Sequence, residues 1–283
     1  MAGLMRHWES VRNVSLPGDR VEFRLGAAPV GWVRRLEVPR LVLRGAVQQG
    51  AVQQSAAQQS AAQRGEMQRG EMQRGEAVVL AHPARLAEVA RSLADTGAFP
   101  WRGEAFDVRA APDGPVLTTV DRGALPWFGI EAQGVHVNGL VLRPGGVHVW
   151  VAKRSLDRLI DPGKLDHIIA GGIQAGLNAQ QTLLKEGAEE AGLPETILRT
   201  ARPVGTISYV TERPEGLRRD RLHAYDLWLP DGLLPIPRDG EVELFELWPL
   251  AHVKEVLAET DRFKFNVALV LIDLIGRLEA AAG

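Results

Sequence analysis

Residues 171–194, GGIQAGLNAQQTLLKEGAEEAGLP, constrain the fold more than any other stretch of the chain. A glycine-rich loop runs into Asn178, a good N-cap, and Gln181 three residues on completes a capping box. Gly192, followed by Leu193 and Pro194, is a C-terminal stop. The spacing predicts a helix of about 12 residues over 178–191. At about 100° per residue, Glu186, Glu189 and Glu190 fall within a sector of about 100°, with Leu184, Gly187, Ala188 and Ala191 opposite. The expectation is a helix that packs by its small and apolar side and presents three carboxylates on the other.

That arrangement is unfavourable twice over. Like charges at these spacings cost a few tenths of a kcal/mol per pair. They also lie near the helix C-terminus, the wrong end of the macrodipole for anions. A bound divalent cation would reverse both penalties, and oxygen ligands of this kind suit Mg²⁺ or Mn²⁺. The alternative is a solvated acidic helix face.

A chain of 283 residues holds two modest domains or one large one. The element pattern predicts an N-terminal α/β domain over 1–125 and a second domain over 126–283. In the first, VEFRLGAAPVGWVRRLEVPRLVL reads as strand, turn and short helix. HPARLAEVARSLADTGAF reads as a helix with Leu86, Val89, Ala90 and Leu93 inward, and FDVRA and PVLTTVDRG as paired strands. A five-residue repeat, GAVQQ drifting to SAAQQ and GEMQR, occupies 45–76. Five residues advance a helix by a net angle of about 140°, so the repeat builds no apolar stripe. With few large hydrophobics it cannot offset its ordering entropy, and it reads as an inserted loop or frayed helix.

In the second domain, VHVNGLVLRPGGVHVWVAKRS reads as a hairpin about Arg143-Pro144-Gly145-Gly146. DPGKLDHIIAGGIQAG reads as a glycine-rich loop before the helix. VGTISYV, HAYDLWLP and DGEVELFELWPL are further strands, and HVKEVLAE and 263–281 close the chain as helices. The fold class is α+β, a mixed sheet covered by helices.

The net charge of −2 makes no electrostatic case for nucleic-acid binding. FKFNVALVLIDLIGRL is interrupted by Lys264, Asn266, Asp273 and Arg277 and is shorter than a membrane span. The N-terminus shows no signal-peptide pattern. No cysteine is present, which excludes disulfides and cysteine-ligated zinc and is compatible with a reducing, cytoplasmic home.

Lys185-Glu186-Gly187-Ala188-Glu189-Glu190-Ala191-Gly192-Leu193 resembles the second half of the Nudix hydrolase signature, with Gly171 at the position of its first glycine. The first glutamate of the pattern falls on Leu177, or on Asn178 if Gly172 starts the motif. Lysine stands for arginine at 185 and glycine for an apolar residue at 187. Over roughly 125–260 the chain resembles the thiamin pyrophosphokinase-related branch of that superfamily, whose members carry an N-terminal domain. Over 1–125 the likeness rests on VGWVRR and WRGEAFDV.

The resemblance implies a Nudix α/β/α sandwich and metal-dependent hydrolysis of a small organic diphosphate. Thiamin diphosphate or a damaged analogue comes first, and ADP-ribose, sugar nucleotides or dinucleotides second. It makes Glu186 and Glu190 ligands of Mg²⁺ or Mn²⁺, and Glu189 a third ligand or the general base. Lys185 would hold a carboxylate as a point charge. The Gly172 carbonyl becomes a further ligand, with Gly171 beside it. An isoprenoid-diphosphate isomerase is disfavoured by the absence of cysteine. A diphosphate-binding module without turnover is the third reading.

Lys164 and Arg154 are candidate phosphate contacts, with Asp166 holding Lys164 or lining the pocket. Glu241 and Glu243 share one strand face and are candidates for a late ligand or base. His136, His148, His167 and His223 show no zinc-type helix spacing and are assigned to packing or surface. Trp127, Phe128 and Tyr209 are candidates for stacking on a heteroaromatic ring. The N-terminal domain is open to covering the site, tuning specificity or forming a homodimer.

Overall fold

The computed structural model describes residues 2–42, 48–51, 76–157 and 160–282. It divides into two compact units, 14–131 with 213–218, and 1–13 with 132–212 and 219–283. The first helix, α1 (Ala2–Ser10), belongs to the second of these and buries Leu4 in its core.

In the first unit, β1 (Arg20–Leu25) and β2 (Ala28–Arg34) pair antiparallel. Helix α2 (Val38–Val42) follows. The sequence pattern hid β2, because Gly31 and the paired arginines interrupt its alternation. Gly31 is required there: a Cβ would run into the Phe128 carbonyl oxygen. Strand β3 (Gln48–Ala51) pairs with β4 (Glu76–Leu80), giving the order β2-β1-β4-β3. So residues 48–51, inside the repeat, form a strand, whereas the expectation of a loop or frayed helix over 52–75 lies outside the described residues. Helix α3 (Leu86–Asp95) buries Leu86, Val89, Ala90 and Leu93, as its periodicity predicts. β5 (Ala105–Val108) pairs with β6 (Thr118–Asp121), and α4 (Leu125–Phe128) follows. Phe128 stacks between Phe23 and Trp127, at centroid distances of 4.9 and 4.6 Å.

The second unit is built on a hairpin of β7 (Glu131–Arg143) and β8 (Gly146–Arg154), with Arg143 opposite Gly146. The turn is the one its Pro-Gly-Gly chemistry predicts, with Gly145 and Gly146 at φ of +98° and +115°. The glycine-rich segment is more ordered than expected. It contains β9 (Leu165–His167), paired with β8, and β10 (Ile169–Gly172), paired with β7. Their residues 165–169 are all buried, so no inside–outside alternation marks them as strands. Then come α5 (Ala179–Glu189), α6 (Glu195–Leu198), β11 (Arg202–Arg213), β12 (Gly216–Trp228) and β13 (Val242–Pro249). Helices α7 (Leu250–Glu259) and α8 (Phe265–Ala282) close the unit. The seven-stranded sheet runs β11-β12-β7-β8-β13, with β10 and β9 alongside β7 and β8.

Apolar cores cover both faces of this sheet. Val137, Val141 and Trp150 pack with Leu183 of α5 and Leu198 of α6. Leu140, Val149 and Val151, at alternate positions, pack with Val253 of α7 and Leu271 of α8. The result is the mixed sheet covered by helices that the element pattern predicts, in the α/β/α sandwich that the resemblance implies. Among the described residues no helix is long and apolar enough to cross a membrane.

One polar strut crosses the α8 side. Arg277 binds the Asp226 carboxylate through two nitrogens, at 2.6 and 3.0 Å, and Asn138 donates to the same carboxylate at 2.8 Å. Asp226 and Asn138 are buried. Arg277→Met strands the carboxylate without its cation and should lower the unfolding free energy by about 3 kcal/mol. Urea titration reads this, and pairing it with Asp226→Asn should restore part of the loss. An unchanged midpoint for Arg277→Met would mean that water already solvates Asp226.

Candidate active site

The capping box forms as the sequence predicts. Asn178 accepts from the Gln181 amide and Gln181 accepts from the Asn178 amide, both at 2.9 Å. At the other end Gly192 takes a φ of +61°. Two glycines then bring α5 against β10. A Cβ on Gly187 would collide with Leu198 and come within 3.0 Å of Ile169. Glycine therefore replaces the apolar residue of the signature because the helix sits too close for a side chain. A Cβ on Gly171 would lie 2.5 Å from Glu186 Cγ, so the Glu186 side chain crosses the β10 backbone there.

The three glutamates do not share the single outward side that the helical wheel predicts. Glu190 is 7% exposed and turns inward, where Oε2 accepts from the Ala170 amide at 3.1 Å. The Glu186 side chain is 15% exposed and that of Glu189 53%. Ala188, placed on the packed side by the wheel, is exposed. The inward sector is rotated toward Leu183, Gly187, Glu190 and Ala191, because those are the positions that face β10. Lys185 Nζ reaches Glu186 at 3.2 Å and Glu189 at 2.9 Å, two separate contacts rather than a fork.

Burial pushes the Glu190 carboxyl well above its ordinary value. The Ala170 amide opposes this, and Glu186, Asp166 and Glu241 add to it. Burial also raises Glu186, against Lys185, with Glu189 and Glu241 again adding. The Lys185 ammonium is raised, first by its hydrogen bond to Glu189. Carboxylates desolvated among other carboxylates are costly as anions. A divalent cation relieves that cost, and the oxygen-only donor set fits Mg²⁺ or Mn²⁺.

The turn before β13 contributes as well. Of Glu241 and Glu243, the structure brings Glu241 to the site. Carboxylate oxygens of Glu190, Asp239 and Glu241 lie within 4.8 Å of one another. Glu243 instead pairs with Lys153 at 2.8 Å. Asp239 escaped the sequence reading. Its signal was the Asp-Gly-Glu turn, in which its carboxylate accepts from the Glu241 amide at 2.8 Å. The carrying segment is fixed to the end of α5. The Ile236 amide donates to the Ala191 carbonyl at 2.9 Å, and Arg238 Nε lies 2.7 Å from where a Gly192 Cβ would be.

The two candidate phosphate contacts are occupied otherwise. Arg154 is buried and donates to Asp166 at 2.9 Å and to the carbonyls of Ile160 and Asp161. Lys164 Nζ donates to the Asp261 carbonyl. Asp166 therefore anchors Arg154 rather than Lys164. The aromatic candidates are core residues. Trp127 and Phe128 are buried, and Tyr209 is buried against Phe265 with its hydroxyl on Asp220.

Two histidines that looked scattered meet. His136 Nδ1 and His167 Nδ1 are 2.9 Å apart, and both rings are buried with Asp166 within ligand distance. Spacing of 31 residues on different strands hid the pair. His136 hydrogen-bonds Asn266 on α8, so the pair belongs to the sheet side opposite α5. Arg154 at 2.9 Å and Lys264 at 3.8 Å already surround Asp166 with positive charge, which repels a further cation. The triad is a structural network.

A family model for the NUDIX domain matches residues 132–268. The chain carries a Nudix domain. Nudix hydrolase 20, chloroplastic, of Arabidopsis thaliana is 42% identical over 193 residues, covering 68% of this chain and 52% of that protein. Nudix hydrolase 24, chloroplastic, of the same plant is 39% identical over 193 residues, covering 68% and 53%. An uncharacterized protein of Saccharomyces cerevisiae is 33% identical over 196 residues, covering 64% and 56%. The chain thus spans about half the length of the curated relatives it matches. The two chloroplastic relatives overturn the cytoplasmic expectation. A lack of cysteine is compatible with any reducing compartment and singles out none.

The histidine–aspartate network generates a stability test. Burial pulls His167 down to about 4, only partly opposed by Asp166. Burial raises Asp166, but Lys264, Arg154 and the two imidazoles bring it down to about 2. Between pH 6.5 and 4 the unfolded chain binds a proton at residue 167 that the native state refuses, so native stability falls as pH drops through that window. The loss is on the order of 3 kcal/mol. The raised Glu186 and Glu190 act with the opposite sign but cancel when wild type is compared with His167→Gln. That difference, read by urea titration at several pH values, should shrink on acidification. A difference independent of pH would refute the assignment.

Proposed function

We propose that the Nudix domain is a Mg²⁺- or Mn²⁺-dependent hydrolase of a small organic diphosphate. The observation that carries this reading is the buried Glu190, docked on β10 and facing Asp239 and Glu241, where an anion is costly without a cation. Two relatives named as Nudix hydrolases support it. Glu186, Glu190 and Glu241 would hold the metal, with Glu189 as a third helix ligand or as the proton acceptor for water. Gly172 is proposed to leave room for substrate beside the helix, its carbonyl serving as a further ligand, whereas the space over Gly171 is taken by the Glu186 side chain. When bound, the cation neutralises phosphate oxygens and lowers the pKa of water.

The chain's own contribution is placement. The Ala170 amide fixes Glu190, Lys185 fixes Glu186 and Glu189 relative to each other, and the Asp239 turn fixes Glu241. On the sequence resemblance over 125–260, thiamin diphosphate or a damaged analogue is the first substrate candidate. Nucleoside diphosphate derivatives come second, and binding without turnover is the competing reading.

A hydrolysis screen with Mg²⁺ over thiamin diphosphate, its oxidised analogues, ADP-ribose, sugar nucleotides and dinucleotides tests this. Glu190→Gln should lower turnover by more than about a hundredfold, beyond what outer-shell changes usually cost. Glu241→Gln should weaken activation by metal, whereas Glu243→Gln should match wild type. Equal turnover in Glu190→Gln would sink the metal role of the helix. Binding of a diphosphate without turnover by any compound would leave the binding module in its place.

A further inference from the structure

We infer that Arg238 is a specificity-determining residue that binds the phosphoryl oxygens of the diphosphate, an inference that rests on the reading above. Of the basic side chains near the carboxylates, most are committed. Arg154 holds Asp166, Lys164 holds the Asp261 carbonyl, Lys153 holds Glu243, and Lys185 holds Glu186 and Glu189. Arg238 differs. It is exposed, and among the described residues it makes no hydrogen bond or ion pair.

Its position is fixed from both ends. The next residue, Asp239, places its carboxylate within 4.8 Å of those of Glu190 and Glu241. At the other end, Nε and Cδ of Arg238 lie 2.7 and 3.3 Å from where a Cβ on Gly192 would be, two residues beyond Glu190. The guanidinium therefore rests over the backbone of the motif's last glycine, and any side chain at 192 would displace it. The hydrogen bond from the Ile236 amide to the Ala191 carbonyl holds the segment down on the helix end. Arg238 is not among the groups that pull down Glu186 or Glu190, so its charge is not spent on those carboxylates.

An open guanidinium next to a carboxylate cluster is matched to a ligand that carries both a metal contact and a second anionic group. A diphosphate is such a ligand. One phosphoryl group can meet the metal held by the carboxylates while the other takes the planar fork of Arg238 through two parallel hydrogen bonds. A monophosphate engaged by the metal has no second phosphoryl group for the fork, so Arg238 favours diphosphates over monophosphates.

The test uses the full chain with Mn²⁺ and methylenediphosphonate, a diphosphate that cannot be hydrolysed, titrated calorimetrically. Arg238→Ala should bind Mn²⁺ as wild type does, and weaken the diphosphonate by about tenfold or more, with methylphosphonate affected little. Arg238→Lys keeps the charge without the fork and should recover only part of the affinity. Diphosphonate affinity equal in wild type and Arg238→Ala, with Mn²⁺ binding intact, overturns the role of Arg238 alone. No diphosphonate binding by Mn²⁺-loaded wild type overturns the hydrolase reading and this role together. Thermal melting of each variant checks that the fold is retained, and Arg238→Gln serves where Arg238→Ala melts early.

Discussion

The site depends on one contact, the Glu190 carboxylate on the Ala170 amide. A carboxylate is tolerated at that depth only where a donor meets its charged form. The donor is the β10 backbone, so helix and strand must lie close enough for a glutamate to reach across. Gly187 on the helix and Gly171 on the strand remove the side chains that would hold them apart. With that spacing set, Glu186 crosses the strand, and Ala191 offers its carbonyl to Ile236. The same clamp delivers Asp239 and Glu241. Helix, strand and distant turn are thus one assembly whose dimensions are fixed by two glycines.

Local chemistry was readable wherever it is local in the sequence. The Asn178–Gln181 box, the Gly192 stop, the Pro-Gly-Gly hairpin turn and the inward stripe of α3 each depend on residues within one or two turns. What was hidden depends on pairing between distant segments. A helical wheel gives angles but not the direction of the partner, so it placed Ala188 inside and Glu190 outside, the reverse of the structure. Strand β9 shows no alternation because all three of its residues are buried, and β10, Ile-Ala-Gly-Gly, carries two glycines that read as loop. Arg154 looked free because its partner, twelve residues on, sits on an adjacent strand.

The histidines make the same point for chemistry. Sequence spacing can exclude a helical metal motif, but it cannot see two strands that bring His136 and His167 within 2.9 Å. Proximity alone does not make such a cluster a metal site. The charge around Asp166 decides, and with Arg154 and Lys264 beside it the local balance is already positive. The carboxylates of α5 stand in the opposite balance. There burial and neighbouring anions push Glu190 and Glu186 up, and Lys185 serves Glu186 and Glu189. The same criterion rejects one cluster and favours the other.

The grading of exposure along α5 also separates roles that the signature groups together. A metal ligand benefits from a fixed, desolvated position, whereas a proton acceptor must exchange with water. Glu190, buried on a backbone donor, and Glu186, pinned across Gly171, meet the first requirement. Glu189, half exposed and held from one side by a flexible lysine, meets the second better than the first. Lysine in place of arginine sharpens the difference. A point charge shared between Glu186 and Glu189 locks neither as firmly as a bidentate fork would. Glu186 has the strand to fix it, and Glu189 has no such second constraint from β10. Lysine at 185 therefore leaves the positions of Glu186 and Glu190 to their contacts with β10, and leaves Glu189 the freest of the three carboxylates.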